Sequence, residues 1–199
     1  VIVAYPFLSL QRPVQQRPVF FMPFEIQICK PIPDDAQDIA EAHVCAWQQG
    51  YRSILPDRVL DSLSIETKAE VWYRQLNGEL PFFEEMYVAK LMGKVLGWVT
   101  GGPTRDRKID PTLYQEIYAL YVNPKYWGKG VGTKLMQHML GMLDTSGWPY
   151  THLWVFKKNL RAQRFYQKFN FIHDGREKPF CIQSAAAPQI CMVRNVPIA

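Results

Sequence analysis

The chain has 199 residues, 48% hydrophobic and 21% charged, proportions that suit one globular domain with a sizeable core and exclude a largely disordered protein. Its net charge of +5 is scattered rather than gathered in a run, so it favours an anionic partner without calling for nucleic acid. Four cysteines without C-x-x-C spacing are too few for a disulfide scaffold, and four dispersed histidines make no ligand set; reduced thiols, a cytoplasmic location and no bound metal are expected.

Residues 1–21, with Pro6, Pro13 and Pro18 among apolar, Gln and Arg residues, read as an N-terminal extension that need not be native; Met22 is a candidate start and 22–199 the single domain. The apolar opening Val1–Leu10 contains a proline, lacks a preceding basic region and is too short to span a bilayer, so neither a signal peptide nor membrane association is expected. A strand over Glu25–Lys30 precedes a helix over Asp34–Gln49, with Asp34 or Asp35 as its N-cap. A second helical region follows Pro56. A third opens at Ser64, buries a stripe of Val71, Trp72, Gln75 and Leu76, and ends at Asn77-Gly78. Glu85–Leu91 and Val95–Gly101 flank Gly93 as a hairpin, and a polar stretch leads to a strand over Glu116–Val122.

Next comes Tyr126-Trp-Gly-Lys-Gly-Val-Gly-Thr133, a glycine loop between that strand and a helix over Gly130–Leu143 whose Val131, Leu135, Met139 and Leu143 recur at helical spacing. Glycines let backbone approach a ligand, and the unpaired N–H groups of a helix start suit phosphate. A P-loop needs Ser or Thr directly after Gly-Lys, but Lys129 is followed by Gly130. The dinucleotide fingerprint needs two residues between its second and third glycines, where this loop has one. A glycine-rich turn without a ligand stays open on the loop alone. Then follow a strand over His152–Phe156, a helix over Asn159–Phe169, and two terminal strands over Phe171–Asp174 and Gln189–Val193. Alternation of strand and helix around a mixed sheet argues for an α/β sandwich.

Two motifs in this order resemble the GNAT superfamily of N-acetyltransferases. The loop is similar to the family's Gln/Arg-x-x-Gly-x-Gly/Ala pattern, laid over Trp127, Gly130 and Gly132, with Trp127 in place of Gln/Arg. About thirty residues downstream, Asn159-Leu-Arg-Ala-Gln-Arg-Phe-Tyr166 through Phe171 resembles Asn-x-x-Ala-x-x-Phe-Tyr-x-x-x-Gly-Phe, with Asn170 at the Gly position, a residue that enters the left-handed region more readily than most. The stretch Ala46-Trp47 to Tyr51 and Leu55-Pro56 is similar to small-molecule members, some of them resembling polyamine acetyltransferases.

The resemblance implies a three-layer fold with a mostly antiparallel mixed sheet and helices on both faces, acetyl-CoA as co-substrate, and direct transfer to a primary amine. It places Leu120, Tyr121 and Val122, the loop residues Gly128, Lys129, Gly130, Val131, Gly132 and Thr133, and Asn159 at the cofactor. It makes Glu116 the base and Tyr166 the group beside the sulfur, and sets Trp47, Tyr51 and Leu55 near the acceptor. Aromatic residues at helical spacing are also ordinary core, and a strand-end glutamate is also an ordinary solvent-facing one. Transfer to a small amine, transfer to a peptide or protein amine, and a non-catalytic acetyl-CoA-binding regulator remain open. Dimers are common among relatives of this kind, so the oligomeric state is open too.

Overall fold

A computed structural model describes residues 25–81, 85–183 and 185–197. The expected extension over 1–21 and the Met22 start lie outside the described residues. The elements run β1 (Gln27–Cys29), a 3-10 turn (Pro33–Asp35), α1 (Ala36–Gly50), α2 (Asp57–Asp61), α3 (Ile65–Leu76), β2 (Glu85–Leu91), β3 (Lys94–Pro103), β4 (Tyr114–Val122), a second 3-10 turn (Pro124–Tyr126), α4 (Val131–Asp144), β5 (Tyr150–Phe156), α5 (Leu160–Gln167), β6 (Ile172–Ile182) and β7 (Ala185–Asn195). The strands form one seven-stranded sheet in the order β1-β2-β3-β4-β5-β7-β6. Every neighbouring pair is antiparallel except β4 with β5.

Strand alternation sorts the core into two layers. On one face Met86, Val88 and Trp98 pack against Ile39 and Ala42 of α1 and Trp72 of α3. On the other, Val99, Ile117, Leu153 and Met192 pack against the Val131, Leu135, Met139 and Leu143 stripe of α4, with Ala162 and Phe165 of α5 at its margin. A third cluster, Leu55, Leu60, Phe156 and Ala187, fills the corner beneath α2. The expected fold class is therefore the observed one. No helix among the described residues is long and apolar enough to cross a membrane.

Local chemistry explains most element ends. Ser64 caps α3 by accepting from the Thr67 N–H at 3.1 Å, and Met92 and Gly93, both at positive φ, make the tight turn between β2 and β3. Three expectations need correction. Asp35 does not cap α1: the chain enters through a 3-10 turn, and the Asp35 carboxylate turns back to accept from Ile32 N–H at 2.8 Å and to pair with Lys90 at 2.7 Å. On α3 Val71 is 41% exposed and Trp72 is buried, because the core-facing row is Ile65, Ala69, Trp72 and Leu76. The last two strands form an eleven-residue hairpin each side, far longer than expected, with Pro179 directly opposite Pro188.

Candidate active site

β4 and β5 pair only from the Tyr114–Tyr150 rung to the Ile117–Leu153 rung. Beyond it the strands part, and Tyr118–Val122 and Trp154–Phe156 line a cleft of about 840 Å³. A register break between Thr100 and Gly101 of β3 drops Tyr118 from the pairing and locally bends β4. At the far end of β4, Asn123 N–H donates to Leu96 O of β3 at 2.8 Å. Backbone groups alternate sides along a strand, so the N–H groups of Leu120 and Val122 point the other way, into the gap. The Val122 carbonyl agrees, since it accepts from Trp127 Nε1 at 2.7 Å. Of the three residues expected there, Tyr121 turns its backbone to β3 and lines the cleft with its side chain.

The glycine loop closes one end. Gly128 and Gly130 have φ of +75° and +81°, the left-handed region that a side chain would strain, and Gly130 is the N-cap of α4. No side chain caps this helix and its first turn holds no acidic residue, so the N–H groups of Val131, Gly132 and Thr133 stay available at the cleft, where the helix dipole is positive. Lys129 is not brought in: it is absent from the lining, and its ammonium lies 5.5 Å from the Tyr126 ring centroid.

Trp127 takes a role of its own. While its indole N–H is held by Val122, the Arg161 guanidinium stacks on its ring at 3.6 Å. The cation missing from the loop thus arrives from α5. Arg161 and Arg164 of α5 and Lys168 at its C-cap all line the cleft, at spacings of three and four residues that put them on neighbouring faces. Burial lowers the Arg161 pKa, yet a guanidinium keeps its charge at any ordinary pH. Asn159 begins the same helix; its Oδ1 accepts from Ala162 N–H at 3.1 Å, and the residue lies on the cleft wall. Asn170, after the helix, sits at φ of 64°, as its place in the motif requires.

Tyr166 lines the cleft beside Tyr121 and Tyr51. Burial, then the neighbouring Tyr121 hydroxyl, pushes the Tyr166 pKa up. Burial also raises Tyr51, helped by Tyr121 and Tyr166, and raises Tyr121, where the Tyr51 hydroxyl and the Trp47 indole act in the opposite sense. These phenols stay protonated and act as hydrogen-bond donors.

Glu116 stands one residue before the strands part and is outside the cleft lining. It is 8% exposed, and its Oε2 accepts from Arg105 N–H at 2.9 Å. Burial raises its pKa against the opposing effects of that bond and of Lys178. His152, 3.9 Å away, is held at about 4 by burial, so the contact is not an ion pair at neutral pH. Lys178 links this group to the cleft, its ammonium lying 4.0 Å from the ring centroid of Trp154.

Of the expected acceptor-side residues, Trp47 and Tyr51 line the cleft, whereas Leu55 is 3% exposed and packs behind it with Leu60 and Phe156. Leu55 is one turn-forming segment beyond Tyr51, and its apolar side chain finds the corner core before the cleft. Sequence reasoning missed Phe180, Phe156 and Trp154 as lining residues. Phe156 and Trp154 lie on the expected strand over His152–Phe156, but they reach the cleft only because β4 and β5 part beyond the last paired rung; Phe180 lies on a part of β6 outside the expected strand. No group of three or more His, Cys, Asp or Glu side chains among the described residues could hold a metal ion.

Comparison with known proteins gives a consistent picture. The family described as "Acetyltransferase (GNAT) family" matches residues 38–171. An uncharacterized N-acetyltransferase of Bacillus subtilis is 28% identical over 69% of this chain and 75% of its own. A probable N-acetyltransferase of Mycobacterium tuberculosis is 30% identical over 77% of this chain and 84% of its own. Among solved structures, PaiA N-acetyltransferase from Thermoplasma acidophilum, in complex with coenzyme A, superposes with a TM-score of 0.61 at 18% identity, covering 86% of this chain and 99% of that one. An acetyltransferase of Salmonella typhimurium solved with its cofactor acetyl-CoA gives 0.62 at 17% identity over 88% and 96%.

Proposed function

Because the chain belongs to the GNAT family of acetyltransferases, we propose that it moves the acetyl group of acetyl-CoA directly to the primary amine of a small molecule, without a covalent enzyme intermediate. N-acetyl transfer from acetyl-CoA follows from the family; the small acceptor and the residue roles are the proposal's own part. The observation that carries it is the parting of β4 from β5, which leaves Leu120 and Val122 N–H groups facing a gap whose far end is the uncapped start of α4.

In this reading the N–H groups of Gly130 to Thr133, with Arg161, hold the pyrophosphate, and Asn159 and Val122 hold the pantetheine arm. The amine attacks the thioester carbonyl, and its oxygen gains negative charge that the Leu120 N–H stabilises. The carbon–sulfur bond then breaks; Tyr166 donates a hydrogen bond to the departing thiolate. A lysine-like amine has a reference pKa of about 10.4, so a proton must be removed near neutral pH. Glu116 takes it through water, as a base need not touch the amine directly. Its raised pKa suits that task. A cytoplasmic location fits the four free cysteines.

The test is thiol release from acetyl-CoA by the purified chain over a panel of amines and N-terminal peptides, repeated with Glu116→Gln. Turnover that depends on a small amine, and a Glu116→Gln defect that shrinks as pH rises and the free amine accumulates, are expected. Acetyl-CoA binding with thiol release no faster than in the absence of the chain, whatever the amine, would point instead to a non-catalytic acetyl-CoA-binding protein.

A further inference from the structure

One wall of the cleft carries a box of four aromatic rings. Trp47 meets Tyr51 edge-on at 5.2 Å between centroids, Tyr51 meets Phe156 at 4.8 Å, Phe156 meets Phe180 at 5.3 Å, and Phe180 returns to Trp47 at 6.0 Å. The contacts close a ring, so each side chain is held by two others. Trp47, Tyr51 and Phe180 are half-buried and present the remainder of their surface to the cleft.

The charge at this site is one-sided. Arg161, Arg164 and Lys168 line the cleft, and among the described residues of the lining there is no aspartate or glutamate. The acidic groups nearest by element are engaged elsewhere: Asp57 and Asp61 with Arg52, Glu177 with Lys157, Asp106 with Lys178, Glu41 with Lys125, and Glu116, the proposed base, with the Arg105 N–H outside the lining. Resting on the acetyl-transfer reading above, we infer that the acceptor is a monoamine with an aromatic or otherwise apolar body, selected by the Trp47–Tyr51–Phe156–Phe180 box, and not a polyamine.

The reasoning is one of unequal losses. A polyamine keeps a positive charge on each amine that is not reacting, and each such charge would need a carboxylate or water; the box supplies apolar faces, and the lining holds no carboxylate. An arylalkylamine carries a single charge, which is lost when the amine is deprotonated for attack. Its ring fills a box of rings, where offset and edge-to-face contact is favourable. The phenol oxygens of Tyr51 and Tyr121, uncharged, are suitable acceptors for the amine N–H groups on the way in.

The experiment compares kcat/KM for 2-phenylethylamine, spermidine and putrescine at saturating acetyl-CoA. The aromatic amine should exceed both polyamines at least tenfold. Phe180→Ala should raise KM for 2-phenylethylamine roughly tenfold, the scale of discrimination an apolar pocket supplies, while the dissociation constant for acetyl-CoA is unchanged. Phe180→Leu, which keeps apolar volume, should lose less and guards against a folding defect in the alanine variant. Gln189→Glu, which places a carboxylate on the cleft wall, should raise spermidine turnover relative to 2-phenylethylamine. Equal or better use of spermidine by the unaltered chain overturns the inference and leaves acetyl transfer standing. So does preference for a peptide with an N-terminal phenylalanine over every free amine. Binding of acetyl-CoA with no transfer to any amine removes the inference together with the function it rests on.

Discussion

The Tyr166 hydroxyl sits where burial and a second phenol both oppose its ionisation. A thiolate has a reference pKa near 8.5 and tyrosine near 10, so full proton transfer is uphill by about 2 kcal/mol before those effects enlarge the gap. Tyr166 therefore assists the leaving sulfur by donating a hydrogen bond. Tyr166→Phe is expected to lower kcat by about tenfold to a hundredfold, with acetyl-CoA affinity retained; unaltered turnover would remove the role. Arg161 makes a different kind of contribution. Its guanidinium is stacked at 3.6 Å on the residue that replaces the motif's Gln/Arg, so its orientation is set by Trp127. Arg161→Ala should weaken coenzyme A binding by roughly tenfold, with Arg161→Lys only partly restoring it, because an ammonium keeps the charge but not the planar stack. Titration with coenzyme A and with pantetheine separates the causes: if the loss is equal for both, Arg161 is not a phosphate ligand. Asn159, Tyr166 and Asn170 were legible in the sequence because a cap, a motif position and a left-handed residue are local chemistry. The Arg161–Trp127 stack was not, since it joins two segments that only the folded sheet brings together.

At the level of elements, the cleft depends on how α4 begins. Gly130 holds its φ of +81° with nothing within 4 Å of a would-be Cβ, so an alanine there would meet no clash, only backbone strain of about 1 kcal/mol or somewhat more. Gly130→Ala should lower the melting temperature by roughly 2–4 °C, the shift about 1 kcal/mol produces in a chain of this size. It should also weaken coenzyme A binding, as relieving the strain turns the first N–H groups of α4 out of line. An affinity that is unaffected while stability drops would show that those groups do not hold the ligand. Strand–loop–helix order around this loop could be read from alternation and glycine spacing, whereas the parting of β4 and β5 could not. It follows from the register with β3 and β7 on either side, which is a property of pairing rather than of either segment. The β6–β7 hairpin was underestimated for a related reason. Pro179 and Pro188 look like strand breakers in sequence, but the rung they share needs neither N–H: Pro188 turns its backbone to the β5 side, where its carbonyl accepts from Lys157 N–H at 2.9 Å, and Pro179 turns its own away from β7 on the edge strand β6. Phe180, the box wall that matters most for acceptor choice, was lost with that misreading.

The whole molecule carries a pH dependence set by two histidines buried in uncharged form. His43 lies among Trp47, Trp98 and Tyr121, stacked on the last at 5.0 Å, and burial with the nearby charge of Lys68 brings it to about 3. His152 is brought to about 4, with burial first and Arg176 second among its causes. In the unfolded chain both would titrate near 6.5. Between pH 6.5 and 4 the unfolded chain thus binds protons that the folded one refuses, and stability falls as pH falls through that window, by up to about 1.4 kcal/mol per pH unit for each histidine. Glu116 acts in the opposite sense, because its raised pKa lets the folded form take up a proton sooner. The carboxylates held low, Glu41, Asp106 and Asp174, lose their contribution only below the ordinary carboxylate range. Glu116 is common to the unaltered chain and a His43 variant, so comparing the two from pH 6.5 to 5 isolates the histidine. His43 Nδ1 has no hydrogen-bond partner among the described residues, so His43→Phe keeps the ring stack, gives up no hydrogen bond at that atom and deletes one titration. Its melting temperature should fall less between pH 6.5 and 5 than that of the unaltered chain, by roughly 4–8 °C, the equivalent of about 2 kcal/mol. Parallel melting curves for the two proteins across that interval would mean that His43 is not the group resisting protonation, and that the acid sensitivity has its source elsewhere in the fold.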